Sequence, residues 1–187
     1  MKTLVFLLEE QSAAEMLKVI LPGFLPDDIQ TRFITFEGKS DLEKNVEKKI
    51  RNWCQPDSSF VVMRDQDSGD CRKIKAQLVQ KCVNAGKSDV LVRIACHELE
   101  SFYLGDLIAV EQAYGIHLSS QRTRKYRTPD ALASAADELK KITKQEYQKV
   151  DGSRRIAKHL KLDGSNCSTS FNALISGIQR LVAIREK

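Results

Sequence analysis

Four short apolar runs constrain this chain more than any other feature: Thr3–Leu8 (TLVFLL), Ile29–Phe36 (IQTRFITF), Ser59–Met63 (SFVVM) and Val90–Ala95 (VLVRIA). Runs this short, bounded by polar turns, read as strands, and the continuous ones as strands buried on both faces. The second is rich in β-branched and aromatic residues, which suit a pleated surface. Between the runs the apolar residues recur at helical spacing. Ser12 with Glu15 and Ser40 with Glu43 have the spacing of capping boxes. Pro22, Gly23 and Pro26 end the first helix; Leu42, Val46, Ile50 and Trp53 form the stripe of the second. The third helix spans Arg72–Ala85 with Ile74, Leu78, Cys82 and Ala85 on one face, and Asp70 is placed to cap it. The order βαβαβαβ predicts right-handed crossovers and a parallel sheet covered on both faces.

After Glu98 the pattern becomes helical. Segments near Leu99–Tyr114, Asp130–Lys141, Ser153–Leu160 and Ser170–Arg185 are separated by turn-forming stretches such as RTPD and LDGSNCS. The chain therefore divides into an α/β core, residues 1–115, and a helical extension, residues 116–187, expected to pack on that core. A length of 187 residues suits one compact domain with a modest appendage.

Composition excludes several classes. Hydrophobic residues make up 42% and charged residues 29%, with 9 Gly and 4 Pro, which is neither disordered nor collagen-like. No apolar run approaches the roughly 18 residues that span a bilayer. The opening MKTLVFLLEEQ meets glutamates where a signal peptide has small residues, so no membrane association and a cytoplasmic location are expected. The five cysteines (Cys54, Cys71, Cys82, Cys96, Cys167) form no CxxC pair, and reduced, mostly buried thiols are expected rather than disulfides or zinc.

Charge is uneven. Met1–Glu100 holds 15 basic and 16 acidic residues, net −1, whereas Ser101–Lys187 holds 15 basic and 9 acidic, net +6. The acids sit where the strands end: Glu9 and Glu10 after the first, Asp65 and Asp67 after the third, Glu98 and Glu100 after the fourth. In an open parallel sheet those ends share one edge, where ligands bind. Carboxylates gathered there repel one another unless a cation neutralises them, and Mg²⁺ (or Mn²⁺) suits carboxylate donors and phosphate chemistry.

Sharper motifs fail. Gly38-Lys39-Ser40 mimics the end of a P-loop, but Phe33 stands where its first glycine belongs. The run Asp65–Asp70 resembles a calcium loop with its glycine displaced by one and Ala76 in place of the bidentate glutamate. His97-Glu98 starts like a zinc-protease helix, with Ser101 replacing the second histidine.

A glutamate after the first strand and Asp-x-Asp after the third resemble the Toprim pattern of topoisomerases, primases and related nucleases. More closely, LLEEQS, RDQDSGDC and HELESFYLGD resemble a bacterial family of Toprim-like proteins described as a domain of unknown function, and KVDGSRRIAKHLKL and STSFNALISGIQRL extend the likeness over nearly the whole chain. The resemblance implies a Toprim-like (Rossmann-like) parallel sheet of four strands and Mg²⁺-dependent phosphodiester chemistry, a nuclease in antiphage defence with a partner ATPase. It implies that Asp65 and Asp67 hold Mg²⁺ and that Glu9 or Glu10 acts as general base, acid or further ligand, with Glu98 or Glu100 on a second ion. Toprim proteins have Gly after the first glutamate; here Glu10 follows Glu9, and Phe36-Glu37-Gly38 offers a rival register. Only one helix separates Glu37 from Asp65, where the pattern needs a further strand and helix, so Glu9 is preferred. A nucleic-acid track is offered by Arg122, Arg124, Lys125, Tyr126 and Arg127, extended by Arg154, Arg155 and Lys158. The alternative reading is a noncatalytic interaction module that keeps the fold. A homodimer is left open.

Overall fold

The computed structural model describes residues 2–119 and 124–183 of the chain. Strand β1 (Lys2–Leu8) leads into helix α1 (Gln11–Ile20), β2 (Ile29–Thr35) into α2 (Lys39–Arg51), and β3 (Ser58–Asp65) into α3 (Cys71–Asn84) and then β4 (Leu91–Ala95). The strands form one parallel sheet in the order β2-β1-β3-β4, with Leu8 opposite both Thr35 and Met63. This is the expected α/β architecture with a Rossmann-like sheet.

Alternation along the strands decides which side of the sheet each residue serves. Leu4, Phe6 and Leu8 of β1, with Val61 and Met63 of β3, pack against α1 and the C-terminal helices. Val5 and Leu7, with Phe60 and Val62, pack against α2 and α3 through Leu42, Val46, Ile50, Ile74 and Leu78. Strands buried on both sides have no polar face, which is why they read as uninterrupted apolar runs.

The C-terminal part consists of α4 (Glu100–Leu104), α5 (Leu107–Tyr114), α6 (Ala135–Ile142), α7 (Lys149–Ala157) and α8 (Thr169–Ala183), with short 3₁₀ turns at Arg124–Arg127 and Pro129–Ala131. One apolar cluster runs from Leu4 through Tyr103, Leu139, Tyr147 and Ile156 to Ile178, so both segments of the chain share a single core. Among the described residues no helix is long and apolar enough to cross a membrane.

Several local expectations change. Neither Ser12 nor Ser40 caps a helix: α1 begins behind Glu10 and α2 behind Gly38, so each serine falls inside the first turn and no capping box forms. The cap on α3 is as expected, Asp70 accepting from Arg72 N and Lys73 N. The helix expected over Leu99–Tyr114 breaks at Gly105-Asp106, where Asp106 accepts from Ala109 N and from Lys161 N of a distant loop. A Cβ on Gly105 would overlap the Asn166 side chain and lie 2.7 Å from Ser168 N, so glycine is what lets that loop close on the break. Asp130, expected in a helix, instead lies in a 3₁₀ turn and receives Ser168 Oγ, Thr169 Oγ1 and Ser170 N at the start of α8. All five cysteines are free, but only Cys82 is buried; Cys54 and Cys167 are exposed.

Candidate metal and phosphodiester site

The acids do reach the carboxyl edge of the sheet, and strand parity then sorts them. Asp65 follows Val61 and Met63 onto the α1 side, while Arg64 follows Phe60 and Val62 onto the α2 side. Continuing β1 past Leu8 in extended backbone sends Glu9 toward Arg64 and Glu10 toward the C-terminal helices.

On the α1 side Asp65, Glu10 and Glu100 face one another. Burial, reinforced by Glu10, Glu100 and Glu9, pushes the Asp65 carboxyl well above its ordinary range, against one opposing backbone N–H from Leu99. Glu100 has no exposed surface; Tyr147 donates to its Oε1 at 2.9 Å, and its Oε2 has no partner among the described residues. Burial raises Glu100 too, offset by Lys149 and the Tyr147 hydroxyl. Glu10 accepts from Ser12 Oγ, and its Oε2 lies 3.1 Å from Lys149 Nζ. Partial burial alone would lower the Lys149 ammonium, but Glu100 and Glu10 hold it above its ordinary value. The Tyr103 hydroxyl, fully buried and within the electrostatic reach of Glu100, Glu10 and Asp65, also has no partner within hydrogen-bonding geometry among the described residues.

On the α2 side the chemistry is ion pairing. Arg64, only 4% exposed, donates from Nη1 to Glu43, from Nη2 to Asp67 at 3.3 Å, and from Nε to its neighbour's carbonyl, Asp65 O, at 2.7 Å. Lys39 closes on Asp67 at 2.8 Å. Glu9 accepts from Asp65 N at 2.9 Å and lies 3.8 Å from Arg64 Nε; burial nevertheless raises its carboxyl. Asp67 adopts φ +53°, a left-handed turn pinned by its N–H to His97 O and its carbonyl to His97 Nδ1, both 2.8 Å. That turn is what separates Asp67 from Asp65 despite the Asp-x-Asp spacing.

The expected set is therefore split. Glu10, Asp65 and Glu100 come together, with Glu9 at their margin, whereas Asp67 belongs to the arginine cluster. Glu98 is elsewhere: its Oε2 accepts from Ala136 N at 2.8 Å, serving the first turn of α6. Glu37 is exposed after β2. Sequence reasoning missed Arg64, Tyr103, Tyr147 and Lys149. For Arg64 a signal existed, since an arginine inside a strand's apolar alternation points at a buried ion pair. Lys149 and Tyr147 carry none, because they come from another part of the chain.

The donor chemistry suits Mg²⁺ or Mn²⁺: hard carboxylate oxygens, one of them buried and unpartnered. Among the described residues no three acidic, histidine or cysteine side chains close on one point as a ready ligand set.

The nucleic-acid track fares unevenly. Arg124, Lys125 and Arg127 are exposed on a 3₁₀ turn, but Tyr126, expected from its place between these cations to stack on bases, is 3% exposed and donates to Glu138 at 2.8 Å, which corrects that expectation. Lys125 pairs with the same Glu138 carboxylate. Arg154 is committed to Glu15, and Arg155 to Ala113 O and the Tyr114 ring, 4.3 Å from its centroid. Lys158 is exposed, and Arg122 lies outside the described residues.

No curated protein and no solved structure matches the chain significantly. A family model matches residues 8–179, which takes in the edge carboxylates, Lys149 and the C-terminal part up to the last turn of α8. The chain belongs to the family described as Domain of unknown function (DUF4276).

Proposed function

We propose that the chain is a Mg²⁺- or Mn²⁺-dependent phosphodiester-processing enzyme, a nuclease acting on nucleic acid, with Asp65, Glu10 and Glu100 as its principal cation donors. One observation carries the reading: Asp65 and Glu100 are gathered with Glu10 at the carboxyl edge of the sheet, burial disfavours the charge of Asp65 and Glu100, and Glu100 Oε2 finds no partner among the described residues. A divalent cation would relieve that arrangement. The Toprim-like order, with acids after β1 and β3 on neighbouring central strands, supports the same reading. So do the exposed Arg124, Lys125 and Arg127 in the half of net charge +6. A role in antiphage defence beside a partner ATPase belongs to this proposal.

A bound Mg²⁺ supplies Lewis-acid polarisation of the phosphoryl group. The chain's own residues do the rest. Glu9, raised by burial and anchored to Asp65 N, can hold or give up a proton nearer neutrality than a free carboxylate. Arg64 fixes the Asp67 turn beside it. Tyr147 orients Glu100.

A second reading has its own support. Glu10 with Lys149, Asp67 with Arg64 and Glu98 with Ala136 N all have structural employment, as a noncatalytic interaction module requires. Calorimetric titration with Mn²⁺ of the native chain and of Asp65→Ala, both shown folded by circular dichroism, separates the two. Binding in the native chain that Asp65→Ala abolishes, with Mn²⁺-dependent cleavage of DNA or RNA, supports the enzyme. No binding at millimolar Mn²⁺ favours the module.

A further inference from the structure

Lys149 stands at the first position of α7, far in sequence from every strand, yet its ammonium reaches Glu10 at the sheet edge. Its Nζ is 3.1 Å from Glu10 Oε2, and it is electrostatically coupled to Glu100 and Asp65 as well. The platform behind it is firm. Arg154, one turn along α7, donates twice to the nearly buried Glu15 of α1, and Ser153 Oγ returns to the Lys149 carbonyl at 2.6 Å. The side chain itself remains half exposed, so it reaches the cluster from its solvent side.

We infer that the ammonium of Lys149 occupies the place of a divalent cation among Glu10, Asp65 and Glu100, and that an incoming ion has to displace it. The inference rests on the reading of this edge as a cation site. A second observation stands beside the lysine contact. Glu100 Oε2 and the Tyr103 hydroxyl are completely buried without a hydrogen-bond partner among the described residues, and Tyr103 feels the charges of Glu100, Glu10 and Asp65. A lysine can leave by rotating its flexible stem; a guanidinium or a packed apolar side chain could not do so as readily.

The test is Mn²⁺ calorimetry on the native chain, Lys149→Met and Lys149→Arg, with folding checked by circular dichroism. Lys149→Met is expected to bind Mn²⁺ about tenfold tighter than the native chain, or to take one ion more, because the competing charge is gone. Lys149→Arg keeps the charge and is expected to show no gain. Equal binding by the native chain and Lys149→Met overturns the inference while leaving the proposed enzyme standing if both bind. If neither binds, both ideas fall. Binding by Lys149→Met alone upholds the inference and removes the metal-enzyme reading of the native chain. Should Lys149→Met be unfolded in chelator, millimolar Mn²⁺ is expected to restore its circular dichroism and cooperative melting, and failure to do so overturns the inference.

Discussion

Arg64 and Asp65 are consecutive in β3, and their side chains leave the sheet in opposite directions, Arg64 to Glu43 of α2 and Asp65 to the acids beneath α7. The strand thus divides its own edge into a cationic hub and an acidic pocket. Each side makes different demands on stability.

Asp65→Asn is expected to stabilise the metal-free protein. In the folded chain burial and neighbouring carboxylates raise this carboxyl well above its ordinary value of 3.8, so the folded state binds more protons than the unfolded state. Stability therefore falls as pH rises from about 4 through the raised value. At neutral pH the buried charge therefore weighs against the folded state. Asparagine removes it and can still accept from Leu99 N. The expected melting temperature in chelator is higher than that of the native chain, with a smaller difference between native and variant at pH 4.5 than at pH 7.5. A variant that melts lower than native at pH 7.5 would sink this account.

Glu15 shows the opposite sign. Hydrogen bonds from Lys18 and Arg154 hold its carboxyl down at about 2, and the Arg154 contact ties α1 to α7. Its stabilisation is fully present above the unfolded value near 4.5 and is lost as pH falls through about 2. Both cationic partners are about half exposed, so screening limits the benefit to about 1 kcal/mol. Glu15→Gln is expected to lower the melting temperature by about 2–4 °C at pH 7, shrinking at 0.5 M salt and vanishing toward pH 2. An undiminished difference at pH 2 would show that packing, not charge, is responsible.

Gly152 tests the floor of the acidic pocket. A Cβ there would overlap the Tyr147 ring and come within 2.9 Å of the Tyr114 hydroxyl. Alanine in a helix interior normally gains about 1 kcal/mol over glycine, but overpacking a buried ring costs about 1–3 kcal/mol. Gly152→Ala is therefore expected to be net destabilising in a urea melt. A net gain would mean that Tyr147 can move at little cost.

Much of this was legible in the sequence. The four strands, their parallel order and the Asp70 cap follow from apolar runs and a single well-placed aspartate. Even the sorting of the acids is latent there: counting alternate residues past Leu8 and Met63 puts Glu10 with Asp65 and Glu9 with Arg64. What counting cannot supply is which helix covers which face. Lys149 and Tyr147 come from α7 and the loop before it, more than 80 residues after Asp65 in sequence, and only tertiary packing brings them together. The Asp67 turn hides for a similar reason, since His97 fixes it from beyond β4. The serines failed as caps because Glu10 and Gly38 begin their helices earlier than hydroxyl spacing suggests.

The Tyr147–Glu100 bond is where the pocket's cost concentrates. Both groups are fully buried, and Tyr147 donates to a Glu100 carboxylate whose other oxygen has no partner among the described residues. Removing a donor from a buried acceptor costs about 1–3 kcal/mol, more when the acceptor is charged. Tyr147→Phe is therefore expected to lower the melting temperature by about 4–8 °C for a loss near 2 kcal/mol in a chain of this size. Glu100→Gln in that background removes the charge that needed the bond, so the double variant is expected to lose less than the sum of the two single losses. Simple additivity in a thermal double-mutant cycle would mean that the hydroxyl and the carboxylate act independently, and that Tyr147 serves the core alone.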